Sequence, residues 1–228
     1  MQKLVFLLLL LPGCSGASQD LSGKAFYFHE TSSSNYVKLI PDKEEAVSAA
    51  TICLRYHSTL TTDQCLFSFA TPSKHNTFLL FKFGYGKHTM AVNNDQPELL
   101  MSDERTPSGW THVCGTWETS SGKVQLWINR KGSEMKAVKK GMLVEGKPII
   151  ILSQDQDTYG GGFQSSQAFV GQITEVHMWD YVLSECEISA MSVGLAVSPG
   201  NVLNWKSMQY TRSGHVLVKS VDDTCYVK

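Results

Sequence analysis

Asp155-Gln156-Asp157 sets two carboxylates on alternate residues, just ahead of the triplet Gly160-Gly161-Gly162. Carboxylates paired on one strand can face a sugar as the acid and the nucleophile of a glycosidase. No glutamate follows within the expected strand, so that chemistry lacks its usual partner. An acidic, glycine-rich loop is by itself more often simply solvated, and the residues alone leave a cation site and a solvated loop both open. Other catalytic arrangements are missing. There is no His-Glu-x-x-His, Gly-x-Ser-x-Gly, Walker loop or Cys-x-x-Cys in the chain. His29-Glu30 has no second histidine one helical turn later. Gly84-Tyr85-Gly86 lacks the third glycine and the helix of a dinucleotide site, which makes it a strand turn. The seven histidines are scattered. These residues point to a binding protein, not an enzyme.

The elements that must position such groups read as strands. Lys24-Ala25-Phe26-Tyr27-Phe28, Leu66-Phe67-Ser68-Phe69, Phe78-Leu79-Leu80-Phe81-Lys82-Phe83 and Val124-Gln125-Leu126-Trp127-Ile128 are short and rich in aromatic and branched residues. Several are bounded by Gly, Asn or Ser turns, as in a β-sandwich. Asn129-Arg130-Lys131-Gly132 suits a hairpin turn. One segment carries a helix start: in Ser184-Glu185-Cys186-Glu187 the serine can cap the helix while Glu187 reaches back to the free backbone N–H. Ile188, Met191 and Leu195 would form its apolar face, and Gly194 would stop it.

Composition narrows the class further. The 228 residues are 42% hydrophobic and 18% charged, enough apolar area to offset the entropy of ordering the chain. Twenty Lys and Arg against 21 Asp and Glu give a net charge of −1, so no broad attraction to nucleic acid or to an anionic membrane is expected. Nothing after the first residues approaches the ~18 apolar residues that span a bilayer. Met1-Gln2-Lys3, the run Val5 to Leu11, the breaker Pro12-Gly13 and the small residues Cys14-Ser15-Gly16-Ala17 form the pattern of a secretory signal peptide over 1–17. A lipoprotein box at Leu11-Pro12-Gly13-Cys14 is the rival reading. Residues 18–228 lack a linker and read as one extracellular domain, without an Asn-x-Ser/Thr acceptor.

Two segments carry a family resemblance. His112-Val113-Cys114-Gly115-Thr116-Trp117-Glu118-Thr119 matches the pentraxin signature. Ile150-Ile151-Leu152-Ser153-Gln154-Asp155-Gln156-Asp157 supports it, followed by Gly160-Gly161-Gly162-Phe163 and Ser166-Gln167. Val176 to Ser184 and Asn201-Val202-Leu203-Asn204-Trp205 continue in register, so the likeness runs from Lys24 to Trp205. The chain resembles a short pentraxin. The resemblance implies an all-β, antiparallel jelly-roll sandwich of the concanavalin and laminin-G type with one short helix. It also implies a secreted homopentamer of innate immunity that recognises phosphocholine, phosphoethanolamine or anionic glycans through two calcium ions per subunit.

Individual positions follow from the same resemblance. Cys53 and Cys114 match the family's internal disulfide. Asn76, Asp155, the backbone carbonyl of Gln156, and Asp157 match calcium ligands, and Gln164 and Gln167 fall where the outer ligands of the second ion lie. His75 stands where the family usually has an aspartate, and Gln164 where it usually has a glutamate, while Asp155 replaces a longer glutamate. Calcium affinity follows ligand charge, so both ions should bind more weakly. Phe81 matches the aromatic that packs on choline methyl groups, Ala91 widens the pocket, and Gln96 replaces the glutamate that meets the choline nitrogen. Five cysteines remain after the leader is removed. That odd count suggests one free thiol or an interchain bridge, with the alternative that Cys65 is simply buried, and Cys186 and Cys225 are expected to pair. The competing class is an adhesion or scaffold module of laminin-G type that acts without calcium.

Overall fold

A computed structural model of the chain describes residues 17–97, 99–102 and 109–221. Its strands are β1 (Lys24–Phe28), β2 (Tyr36–Ile40), β3 (Ala49–His57), β4 (Gln64–Thr71), β5 (Lys74–Phe83), β6 (Lys87–Val92), β7 (Met101–Ser102) and β8 (Trp110–Glu118). They continue as β9 (Lys123–Ile128), β10 (Lys131–Gly132), β11 (Lys136–Ala137), β12 (Ile149–Leu152), β13 (Gly171–Trp179), β14 (Gln209–Ser213) and β15 (Leu217–Ser220). The helix α1 spans Glu185–Ser192. One sheet runs β10-β9-β8-β3-β13-β1-β15 with β11 also on β9, and the other runs β14-β2-β12-β4-β5-β6-β7. The pairings are antiparallel, for example β3 with β8 and β4 with β5.

Side chains alternate across a pleated strand, so each sheet sends every second residue inward. On β3, Ile52, Leu54 and Tyr56 enter the core between the sheets, where they join Phe26, Phe67, Phe78, Leu80, Trp117 and Ile150. The intervening Cys53, Arg55 and His57 face the other way, opposite Cys114, His112 and Trp110 of β8. The expected disulfide is present between Cys53 and Cys114, whose Cα atoms lie 4.1 Å apart as direct cross-strand neighbours. Helix α1 covers this bond: Ile188 and Leu183 pack with Cys53, Cys114, Trp127 and Trp179 in a second apolar cluster.

Local signals correspond closely to the chain's behaviour. Ser184 Oγ accepts from Glu187 N while Glu187 Oε2 accepts from Ser184 N at 2.8 Å, completing the reciprocal cap. Asn129, at φ +55°, turns β9 into β10. Leu195 is a correction. The helix ends at Ser192 and Gly194 turns the chain at φ +78°, so Leu195 lies beyond the helical repeat and is 64% exposed. Every residue of β4 is buried, on both faces. A strand with only one covered face would alternate, so something covers the outer side of this sheet. The cover is the stretch that follows β12.

Candidate functional site

That stretch begins at Ser153, held at φ +81° with its hydroxyl donating to the Phe169 carbonyl at 3.2 Å. Gln154 donates through Nε2 to the carbonyls of Ser32 and Asn35. Gln156 donates through Nε2 to Ser68 O and Ile149 O, each at 3.1 Å, and its Oε1 accepts from Gly160 N. Gln154 thus ties the irregular run Ser153 to Gln156 to the loop before β2, and Gln156 fastens it to β4 and β12. Asp155, between them, is spared from anchoring. Gly162 lets the loop close back, because its φ is +76° and a Cβ there would lie 2.8 Å from the Asp157 Cβ.

Asp155 is only 5% exposed, and its Oδ1 has no hydrogen-bond partner. Burial, and after it the charge of Asp157, push its carboxyl up to about 6, with the imidazole of His75 acting the other way. A buried, unpaired carboxylate oxygen is costly unless something positive meets it. Three buried side-chain amide oxygens share this condition: Asn76 Oδ1, Gln154 Oε1 and Gln167 Oε1 have no donor among the described residues. Gln164 donates from Nε2 to Asp157 Oδ2 at 2.6 Å, so its amide supplies the positive end of a dipole beside the second carboxylate. His75 has Nε2 3.4 Å from Asn94 Nδ2, and Asn94 Oδ1 accepts from Asn76 N at 3.1 Å. His75, Asp155, Asp157 and Gln164 are thus joined by direct contact or by charge, with Asn76 next to His75 and Gln167 closing the short turn that Gln164 opens.

The donor set fits a hard cation. It offers two carboxylates and side-chain amide oxygens, and calcium takes six to eight oxygens of this kind. Among the described residues, the only group of three or more histidine, cysteine or carboxylate donors in mutual reach is Cys53, His112 and Cys114. Two of these are bonded to each other, which removes the thiolates a metal would need.

An apolar patch on the same sheet face accompanies the loop. Phe81, Ala91, Leu79 and Cys65 form one cluster, with Cys65 opposite Phe81 and Leu79 opposite Ala91 in register. Phe81 is 6% exposed, its ring edge-on to Phe83 at 5.2 Å. Gln96 is exposed in the turn that follows β6. Cys65 is a buried thiol, the alternative reading of that position; burial first and then the charge of Asp155 push it well above the ordinary range. Cys186 is exposed and has no disulfide partner among the described residues; its expected partner Cys225 lies outside them.

Asn94 and Ser68 escaped the reading of the sequence. Ser68 interrupts the apolar run Leu66-Phe67-Ser68-Phe69, and a lone hydroxyl there was the available sign that something polar docks on the outer face. Asn93-Asn94 sits at φ +51° and +63°, a conformation that asparagine tolerates better than most residues.

Comparison with known proteins gives a consistent result. The Pentaxin family model matches residues 24–220. The chain is 40% identical over 221 residues to the C-reactive protein of Rattus norvegicus, covering 96% of this chain and 95% of that protein. It is 38% identical over 203 residues to the serum amyloid P-component of the same species, covering 89% and 88%. Among solved structures, a native heptameric SAP-like pentraxin from Limulus polyphemus superposes with a TM-score of 0.75 at 21% identity, over 91% of this chain and 99% of that one.

Proposed function

The chain belongs to the Pentaxin family, and from that premise we propose that it is a secreted, calcium-dependent recognition protein that binds phosphocholine-like or other anionic ligands and has no catalytic role. The observation that carries this reading is the set of buried oxygens without donors, Asn76 Oδ1, Asp155 Oδ1 and Gln167 Oε1, gathered on residues that also include Asp157 and Gln164. Unmet acceptors at these positions favour a cation over a hydrogen-bond network, because each unmet acceptor costs about 1–3 kcal/mol. Asn76, Asp155, Asp157 and the Gln156 carbonyl would hold a first calcium. Asp155 and Asp157 would share a second with Gln164 and Gln167. Calcium, when bound, supplies the positive charge that receives a phosphate or carboxylate oxygen of the ligand.

The protein's own contribution is to hold the oxygens in place. Gln154 and Gln156 fix the backbone on either side of Asp155. Phe81 and Ala91 offer the apolar ground beside the ions, and Gln96 replaces a charge there, which weakens preference for choline over ethanolamine. Gln164 and His75, which bring no carboxylate, lower calcium affinity relative to a site with carboxylates at those positions.

We further propose that 1–17 is a signal peptide removed on export, that 18–228 is the mature pentraxin domain, and that the subunits form a ring, with five as the expected number. The Cys53–Cys114 bond supports an oxidising compartment. Among the described residues, no helix is long and apolar enough to cross a membrane.

Beads bearing phosphocholine or phosphoethanolamine should retain the protein in millimolar calcium and release it on chelation. Retention that ignores chelation, or no retention on either bead with full activity toward a protein surface, would transfer the protein to the calcium-independent adhesion class.

A further inference from the structure

The outer face of the other sheet, on the far side of the sandwich from the Asp155 loop, carries a groove of about 520 Å3. That size is within the range of small-molecule sites. Arg55, His112 and Lys206 line its polar part, and Met191, Leu195 and Val197 its apolar wall. The alternation that sends Ile52 and Leu54 into the core sends Arg55 here, directly opposite His112 in the β3–β8 register.

Arg55 is half-buried, with its guanidinium over the Trp110 ring at 5.7 Å, and among the described residues no carboxylate pairs with it. A planar fork of donors held against an aromatic ring and lacking an anion is preorganised to receive one. Glu175 is the only carboxylate in the groove lining, and it makes no ion pair with Arg55. The bulge between Thr174 and His177 holds it at φ +51°, with Oε2 3.7 Å from His177 Nε2. Bulges re-aim side chains at such places. His112 is 3% exposed, and its Nδ1 has no hydrogen-bond partner, a second polar atom in this lining with nothing to meet it. Burial, ahead of the Arg55 charge, holds its ring down to about 4, so the histidine is neutral at physiological pH. The lining therefore carries a small positive excess at one end. The other end has a wall on which Leu195 is 64% exposed although it is fully apolar.

We propose that this groove is a second, calcium-independent binding site for an amphipathic monocarboxylate of the medium-chain fatty-acid class. The carboxylate pairs with the Arg55 fork, with Lys206 adding charge at the rim. The alkyl chain lies along Met191, Leu195 and Val197, removing the exposed Leu195 surface from water. A single unpaired guanidinium suits one carboxylate better than a multiply charged headgroup. An aliphatic amine is excluded by Arg55 itself.

The test is calorimetric titration of the full assembled protein in EDTA, with octanoate, acetate and octylamine as probes. Octanoate should bind once per chain in the submillimolar range, acetate and octylamine at least tenfold more weakly, and millimolar calcium should change none of this. Arg55→Gln should weaken octanoate at least tenfold. Leu195→Asp, at a site exposed enough to leave folding intact, should do the same if Arg55→Gln fails to fold. Equal binding of octylamine, octanoate binding that requires calcium, absence of octanoate binding, or unchanged affinity in the variants would each overturn the proposal.

Discussion

Gln164→Glu puts the calcium assignment under direct strain, because its sign should reverse with the metal. In this structure Gln164 Nε2 donates to Asp157 Oδ2 at 2.6 Å. The substitution deletes that donor and brings a second carboxylate against the first. At a separation of roughly 4 Å, two like charges cost about 1 kcal/mol in water and about 4 at an intermediate dielectric. Both residues are exposed, so screening keeps the cost toward the lower figure. Adding about 0.5–1.5 kcal/mol for the lost hydrogen bond gives a destabilisation of about 2 kcal/mol without calcium. At this chain length that lowers the melting temperature by about 4–8 °C. With calcium the new carboxylate becomes a charged ligand, and affinity should rise about tenfold, worth about 1.4 kcal/mol. Differential scanning calorimetry in EDTA and in millimolar calcium, paired with calcium titration, reads both arms. A change of the same sign in both media, or none in either, would refute the placement of Gln164 at a cation site.

Other expectations concern neighbouring groups. Asp155 has its carboxyl raised to about 6 from 3.8, so the unfolded chain releases this proton first and calcium-free stability should fall as pH rises from about 4 to 6, by at most about 3 kcal/mol. Asp155→Asn should abolish that fall, as urea titrations at the two pH values would show, and should also abolish calcium binding; in the parent protein, calcium affinity should drop about tenfold per unit below pH 6. His75→Asp restores a carboxylate beside Asn76 and should tighten calcium by on the order of 1–3 kcal/mol, measured by calorimetry; unchanged affinity would mean the side chain does not serve the metal. Replacing Cys53 and Cys114 together by alanine opens a loop of 61 residues and should cost on the order of 4 kcal/mol in denaturant unfolding. Iodoacetamide on the native protein should spare Cys65, which is fully buried; labelling of Cys65 before unfolding, seen by peptide mass mapping, would contradict its burial in the cluster with Leu79, Phe81 and Ala91.

Local chemistry explains what could be read without a fold. The Ser184–Glu187 cap depends on residues three apart, and the Asn129 turn and the strand runs depend on neighbours, so their forces act within the window a sequence presents. The motif resemblance likewise supplied the Cys53–Cys114 pairing and the positions of the Asp155 loop. Leu195 failed at the edge of that window, where Gly194 ended the helical period one residue too early for it to count.

Only the tertiary structure decided which polar groups are left without partners, since that depends on surfaces distant in sequence. Gln154 meets Ser32 and Asn35 more than a hundred positions away, and Gln156 meets Ser68, so both side-chain NH2 groups are spent on anchoring. Asp155 lies between them with an oxygen unmet, and its raised carboxyl follows from burial that no local pattern encodes. Arg55 and His112 are unremarkable as separate letters, yet the β3–β8 register puts them side by side on a groove whose far wall comes from the residues after α1. Residue type and spacing set the short-range geometry of this protein, while desolvation and charge, which act through space between segments brought together by folding, set where it can bind.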